Sequence, residues 1–71
     1  MVRAKFKCDF VSKFTDTATV NMVPVTNGSE ENKSFYKWTP GGSIILQGIS
    51  HTVADKFVPG KEYYVDFTEA E

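Results

Sequence analysis

Val2-Arg3-Ala4-Lys5-Phe6-Lys7-Cys8-Asp9-Phe10-Val11-Ser12-Lys13-Phe14 carries the strongest pattern in the chain. Val2, Ala4, Phe6, Cys8, Phe10, Ser12 and Phe14 share one parity, and Arg3, Lys5, Lys7, Asp9, Val11 and Lys13 the other. A period of two over this length specifies a half-buried strand, long enough to be bent or bulged. The phenylalanine face is expected in the core. Arg3, Lys5 and Lys7 then stand in a row on the outer face, roughly 7 Å apart along the strand. Cys8 falls on the core face and reads as a small buried hydrophobe, with no His or Lys beside it on that face to make it a nucleophile.

The next segments extend the sheet. Thr15-Asp16-Thr17 is a polar turn, and residues 17–25 alternate again, with Ala18, Val20 and Met22 on one side. The two strands form an antiparallel hairpin in this reading. Pro24 cannot donate to a ladder and marks an edge or bulge. Ser43 to Ile49 is the most apolar strand and is expected to be central, with Gly48 marking a bend. Ser50-His51-Thr52 caps a short helix over Val53 to Phe57, whose two ends meet at i, i+4. Lys61 to Thr68 is the last strand: Tyr63, Val65 and Phe67 point one way and Glu62, Tyr64, Asp66 and Thr68 the other.

Between the two extended halves lies Ser29 to Gly42, which holds the only tryptophan and mixes charge with aromatic surface more densely than any other segment. It has two readings. As a helix, Ser29 is the N-cap, Glu30 and Glu31 occupy the first turn, Phe35 and Trp38 share a face, and Thr39-Pro40 ends it. As a strand, Asn32, Ser34, Tyr36 and Trp38 line one face, and Thr39-Pro40-Gly41-Gly42 is a type II turn with Gly41 in third position. The helix is the favoured reading.

The expected fold is mainly β (α+β). It is a small four- to five-stranded antiparallel barrel or strongly bent sheet, OB-like or SH3-like, with one or two short helices. A four-stranded sheet carrying helices on one face is the alternative. Residues 1–71 make a single domain. A chain of this length buries only about 60% of its unfolded surface, so its core is thin and a homo-oligomer is expected.

Composition narrows the function classes. The formal net charge is −1, which disfavours coating of a long polyanion. One cysteine cannot form an internal disulfide. The start shows no signal peptide, no apolar run approaches ~20 residues, and a reducing cytoplasm without membrane contact is the expected setting. No His/Cys cluster is present for a metal, and neither glycine pair has phosphate-loop spacing. Glu30 and Glu31 serve a helix N-terminus in this reading. The expectation is a protein that is not an enzyme and needs no cofactor.

Binding is the better-supported class. Flat rings beside cations suit a base, with the cations taking phosphates. The candidate ligand-binding residues are Tyr36, Trp38 and Tyr64 with Arg3, Lys5, Lys7, Lys33 and Lys37, and the candidate ligand is a nucleotide or short oligonucleotide. The competing reading of Phe35 and Trp38 is core, and that of the Lys row is protection of a sheet surface.

The segments Ser29-Glu30-Glu31-Asn32-Lys33-Ser34-Phe35, Trp38-Thr39-Pro40-Gly41-Gly42 and Phe57-Val58-Pro59-Gly60-Lys61-Glu62-Tyr63-Tyr64-Val65-Asp66-Phe67-Thr68 carry a resemblance. With the Arg3-Ala4-Lys5-Phe6 start, they make nearly the whole chain similar to a group of small proteins of tailed bacteriophages and environmental viral sequences. The resemblance transfers no activity residue by residue. It implies a viral origin and expression in the cytoplasm of a host bacterium. By analogy of size and context alone, such a protein can assemble as an oligomer and sequester a nucleotide immune signal of the host.

Overall fold

The computed structural model describes residues 1–71. Its elements in chain order are β1 (Val2–Lys13), β2 (Ala18–Pro24), α1 (Glu30–Phe35), β3 (Ile44–Ile49), α2 (His51–Ala54) and β4 (Glu62–Phe67). The four strands form one antiparallel sheet in the order β3-β2-β1-β4, the Greek-key arrangement in which the last strand returns beside the first. The chain is therefore mainly β, as expected, with four strands and two short helices. The sheet is strongly bent but not closed: β3 and β4 share no ladder, yet Ile44 and Leu46 face Tyr63 and Val65 across one concave hollow.

Two bulges bend it. On β1 the register slips between Cys8 and Phe10, where Asn21 lies opposite. On β3 two residues, Gln47 and Gly48, stand against Thr19, and Gly48 takes φ 72°, which a side chain would resist. Each extra residue bends its strand and raises the local twist.

The β1 bulge also corrects the expected core. Ala4, Phe6 and Cys8 are buried, but beyond the bulge the faces exchange. Phe10 and Phe14 are 47% and 59% exposed, and Val11 packs against the core in their place. Period-two reasoning carries parity through an extra residue unchanged, and the sheet does not.

The most apolar strand is not central. β3 is an edge, and Ile45 lies exposed on its outer side. β1 and β2 occupy the centre, and their Ala4, Phe6, Cys8, Val20 and Met22 make the core cluster. Pro24 ends β2 opposite Phe6, where its missing N–H removes no further rung.

Beyond Pro24 the ladder is continued by other means. Val25 N–H donates to Lys5 O at 3.0 Å. Asn32, buried on α1, then pairs with the same residue through its side-chain amide. Its Oδ1 accepts from Lys5 N–H at 2.7 Å, and its Nδ2 donates to Lys5 O and Val25 O, each at 2.8 Å. A side-chain amide thus replaces a peptide group and pins α1 to the strand.

α1 begins as expected, with Ser29 Oγ accepting from Asn32 N–H at 3.2 Å. It ends earlier than expected, at Phe35, where Tyr36 adopts extended backbone and returns its N–H to Asn32 O. Trp38 is therefore outside the helix and shares no face with Phe35, which sits 6.0 Å from the Phe67 ring. In the following loop Gly42, not Gly41, has positive φ, so the type II turn expected on the strand reading is absent. α2 starts at His51 rather than Val53. Its N-cap is Ser50, whose Oγ accepts from Val53 N–H at 3.3 Å. Val53 remains exposed, and Phe57 packs on Tyr63 instead, 5.4 Å between ring centres.

Candidate ligand groove

The outer face of β1 and β4 assembles as the alternation requires. Register sets Arg3 opposite Asp66, Lys5 opposite Tyr64 and Lys7 opposite Glu62. The Arg3 guanidinium lies 4.7 Å from the centre of the Tyr64 ring, and Lys5 Nζ 5.3 Å from it. Both are cation–π distances. The ring is thus already occupied by the chain's own cations, which are in turn paired. Arg3 grips Asp66 through two bonds, Nε to Oδ1 at 2.5 Å and Nη2 to Oδ2 at 2.9 Å. Lys5 Nζ stands 3.7 Å from Glu31 and 3.8 Å from Glu62.

The ionisation of these groups follows. The hydrogen bond from Arg3 holds the Asp66 carboxyl below the usual aspartate range, and Asp66 raises the Arg3 guanidinium in return. Glu31 is lowered chiefly by its own backbone N–H, with Ser29 and Lys5 adding to it. All three stay charged at neutral pH, which makes this face a set of closed ion pairs.

The second cluster is open. Trp38 is 80% exposed, and Lys37 Nζ lies 5.6 Å from its ring centre. Beside it runs a groove in two adjoining parts that share Val25, Thr26 and Pro40. The larger, about 450 Å³, is bounded by Lys7, Glu62, residues 23–27 and Pro40-Gly41-Gly42. The smaller, about 100 Å³, is bounded by Gly28, Ser29, Asn32, Lys33 and Trp38. Trp38 lies in the loop that follows α1, two residues beyond the half-buried Tyr36.

The eight candidate residues therefore divide. Arg3, Lys5 and Tyr64 stand together on the sheet. Lys33, Lys37 and Trp38 gather at the loop, and Lys7 lies at the far end of the groove. Tyr36 is half-buried, with its ring 5.0 Å from Phe35. Among the five candidate cations, Arg3, Lys5 and Lys33 have carboxylate partners, Lys33 through Glu30 at 3.2 Å, while Lys7 and Lys37 have none within 4.0 Å. Sequence reasoning placed Glu62 and Asp66 beside Tyr64 but did not match them to the lysine row; opposite charge on two faces of equal period was the available signal.

Other reactive side chains are engaged elsewhere. Burial pushes the Cys8 thiol up, with Asp9 adding to it. His51 Nε2 bonds the carbonyls of Phe14 and Thr17 at 2.8 and 3.0 Å and so ties α2 to the β1–β2 turn. No three His, Cys, Asp or Glu side chains converge on a point that could hold a metal ion. No helix is long and apolar enough to cross a membrane. Comparison with protein-family models, with curated proteins and with solved structures finds no match to this chain.

Proposed function

We propose that this chain is a non-catalytic binding module for a nucleotide, held in the groove between Trp38 and Lys7. The observation that carries the reading is the exposed Trp38 ring with Lys37 beside it, at the mouth of a groove that ends on an unpaired lysine. A base stacks on the indole, and the phosphates meet Lys37 and Lys7. Two free cations match a compact ligand carrying few charges. They do not match a long strand, whose phosphates need a row of them. Arg3 and Lys5 are paired with Asp66, Glu31 and Glu62 and, with Tyr64, serve the sheet in this reading. A host nucleotide signal, which analogy of size and context with small phage proteins suggests, belongs to the same ligand class.

Trp38 fluorescence is titrated at low salt with mononucleotides, cyclic nucleotides and short oligonucleotides. The expected result is quenching by one of the compact ligands, with affinity falling only shallowly as salt rises. By calorimetry, Trp38→Ala weakens binding roughly 5- to 150-fold, the range for one lost base stack. No response across the panel sinks the proposal and favours a protein-interaction or virion-associated role. A steep salt slope moves the ligand to a strand.

A further inference from the structure

We infer that the free edge of β3 docks the β3 of a second copy of this chain, the two strands running antiparallel across a two-fold axis. β3 is the outermost strand beyond β2. The backbone groups of residues 43–49 make no hydrogen bond outside the ladder with β2. Their unpaired N–H and C=O groups are a template for a further strand. The flanking chain leaves this edge open. α2 follows directly, but His51 draws it to the β1–β2 turn through the carbonyls of Phe14 and Thr17. The loop before β3 turns Pro40-Gly41-Gly42 toward residues 23–27 and lines the groove there.

Charge separates the two edges of the sheet. Proteins commonly blunt an edge strand with charge. β4 is blunted in this way by Glu62 and Asp66. A β4 pair centred on Tyr64 would set Glu62 opposite the partner's Asp66, like charges face to face. β3 carries no charge, and no charged residue lies between Lys37 and His51. The bulge at Gln47 and Gly48 limits the usable length to residues 43–47.

The occupant follows from that segment, Ser43-Ile44-Ile45-Leu46-Gln47. Across a two-fold axis, residue i meets j and j meets i. Centred on Ile45, the pair sets Ile45 against its own copy and Ser43 against Gln47 on the outer face. On the inner face Ile44 meets Leu46. Apolar groups meet apolar ones, polar meet polar, and no like charges are opposed. Ile45, 57% exposed in the single chain, gains apolar cover. A net charge of −1 sets little repulsion against pairing. Five paired residues make a contact smaller than the ~800 Å² per partner of a standard stable interface, so the dimer is concentration-dependent. Lys7, Lys37 and Trp38 lie outside β3, so the inference stands apart from the ligand reading.

Sedimentation velocity from low micromolar to submillimolar concentration tests this. The expected mass is twice 8.0 kDa at high concentration. Ile45→Lys sets two ammonium groups against one another and returns the mass to 8.0 kDa with the far-ultraviolet circular dichroism unchanged. Val53→Lys, at an exposed position on α2, keeps the doubled mass. Mixing Ile45→Lys with Ile45→Glu restores it, because opposite charges then meet at the axis. Amide exchange of the unmutated protein covers the case in which a variant fails to fold: amides of residues 43–47 slow as concentration rises, and those of β4 do not. A mass of 8.0 kDa at every concentration overturns the inference. So does a doubled mass that survives Ile45→Lys, a charge-swapped mixture that stays at 8.0 kDa, or slowing on β4 in place of β3. A mass that climbs past twice 8.0 kDa overturns it too, since β3 then docks on β4 and adds copies without closure.

Discussion

Asn32→Ala removes a side chain that does the work of a strand. The residue is 2% exposed, and its amide makes three bonds to backbone groups: one from Lys5 N–H and one each to Lys5 O and Val25 O. Lys5 O keeps the Val25 N–H, but Lys5 N–H is left under α1 with no other partner. A bond of this kind contributes about 1 kcal/mol net, and a sheltered donor without a partner costs about 1–3 kcal/mol, so the loss is roughly 3–4 kcal/mol. A domain of this length has roughly 4–11 kcal/mol in total, so the variant loses a large share of its stability. At about 4–8 °C of Tm per kcal/mol in a domain of this size, the expected fall is about 12–32 °C. Thermal unfolding followed by circular dichroism measures it. Asn32→Asp is the companion: it keeps the acceptor for Lys5 N–H but turns a donor into an acceptor facing two carbonyls. At neutral pH it is expected to be no more stable than the alanine variant. A Tm fall below about 4 °C for Asn32→Ala, or an Asn32→Asp protein as stable as the parent, refutes the claim that this amide completes the sheet.

Phenylalanines four residues apart on β1 are expected to respond oppositely. Phe6→Ala costs about 3–5 kcal/mol by denaturant unfolding, while Phe10→Ser stays within about 0.5 kcal/mol, because the bulge turns Phe10 to water. Equal losses would mean that the alternation runs unbroken. Acid is expected to destabilise the protein through Asp66, Asp55 and Glu31, whose folded pKa values are all depressed, Asp55 chiefly by its hydrogen bond from Lys13. The stabilisation is present above the unfolded carboxylate values, about 4, and is lost as pH falls through the lower folded ones. Arg3→Gln removes the main cause of the Asp66 depression, so Tm against pH falls less steeply below about pH 4 than in the parent. An unchanged acid limb counts against the pair.

Much of the architecture was legible because it rests on short-range rules. Ser29 and Ser50 cap helices through bonds that span three residues, and β2 and β4 follow their own alternation. Gly48 was read as a bend and carries the bulge. The failures share a cause as well. Phe10, Phe14 and the place of β3 depend on the ladder between strands, and no period within one segment reports an extra residue opposite another segment. The candidate site was half legible: the ring and cation types were visible, but not which cations already had partners.

Local chemistry was enough to specify extended segments, capped turns and a charge-balanced surface, since each depends on neighbours a few residues away. Folding alone could assign Arg3 and Lys5 to Asp66, Glu31 and Glu62 while leaving Lys7 and Lys37 without partners. It alone could also carry Trp38 out on a loop. These outcomes depend on contacts between residues as far apart as Arg3 and Asp66, which only strand pairing brings together.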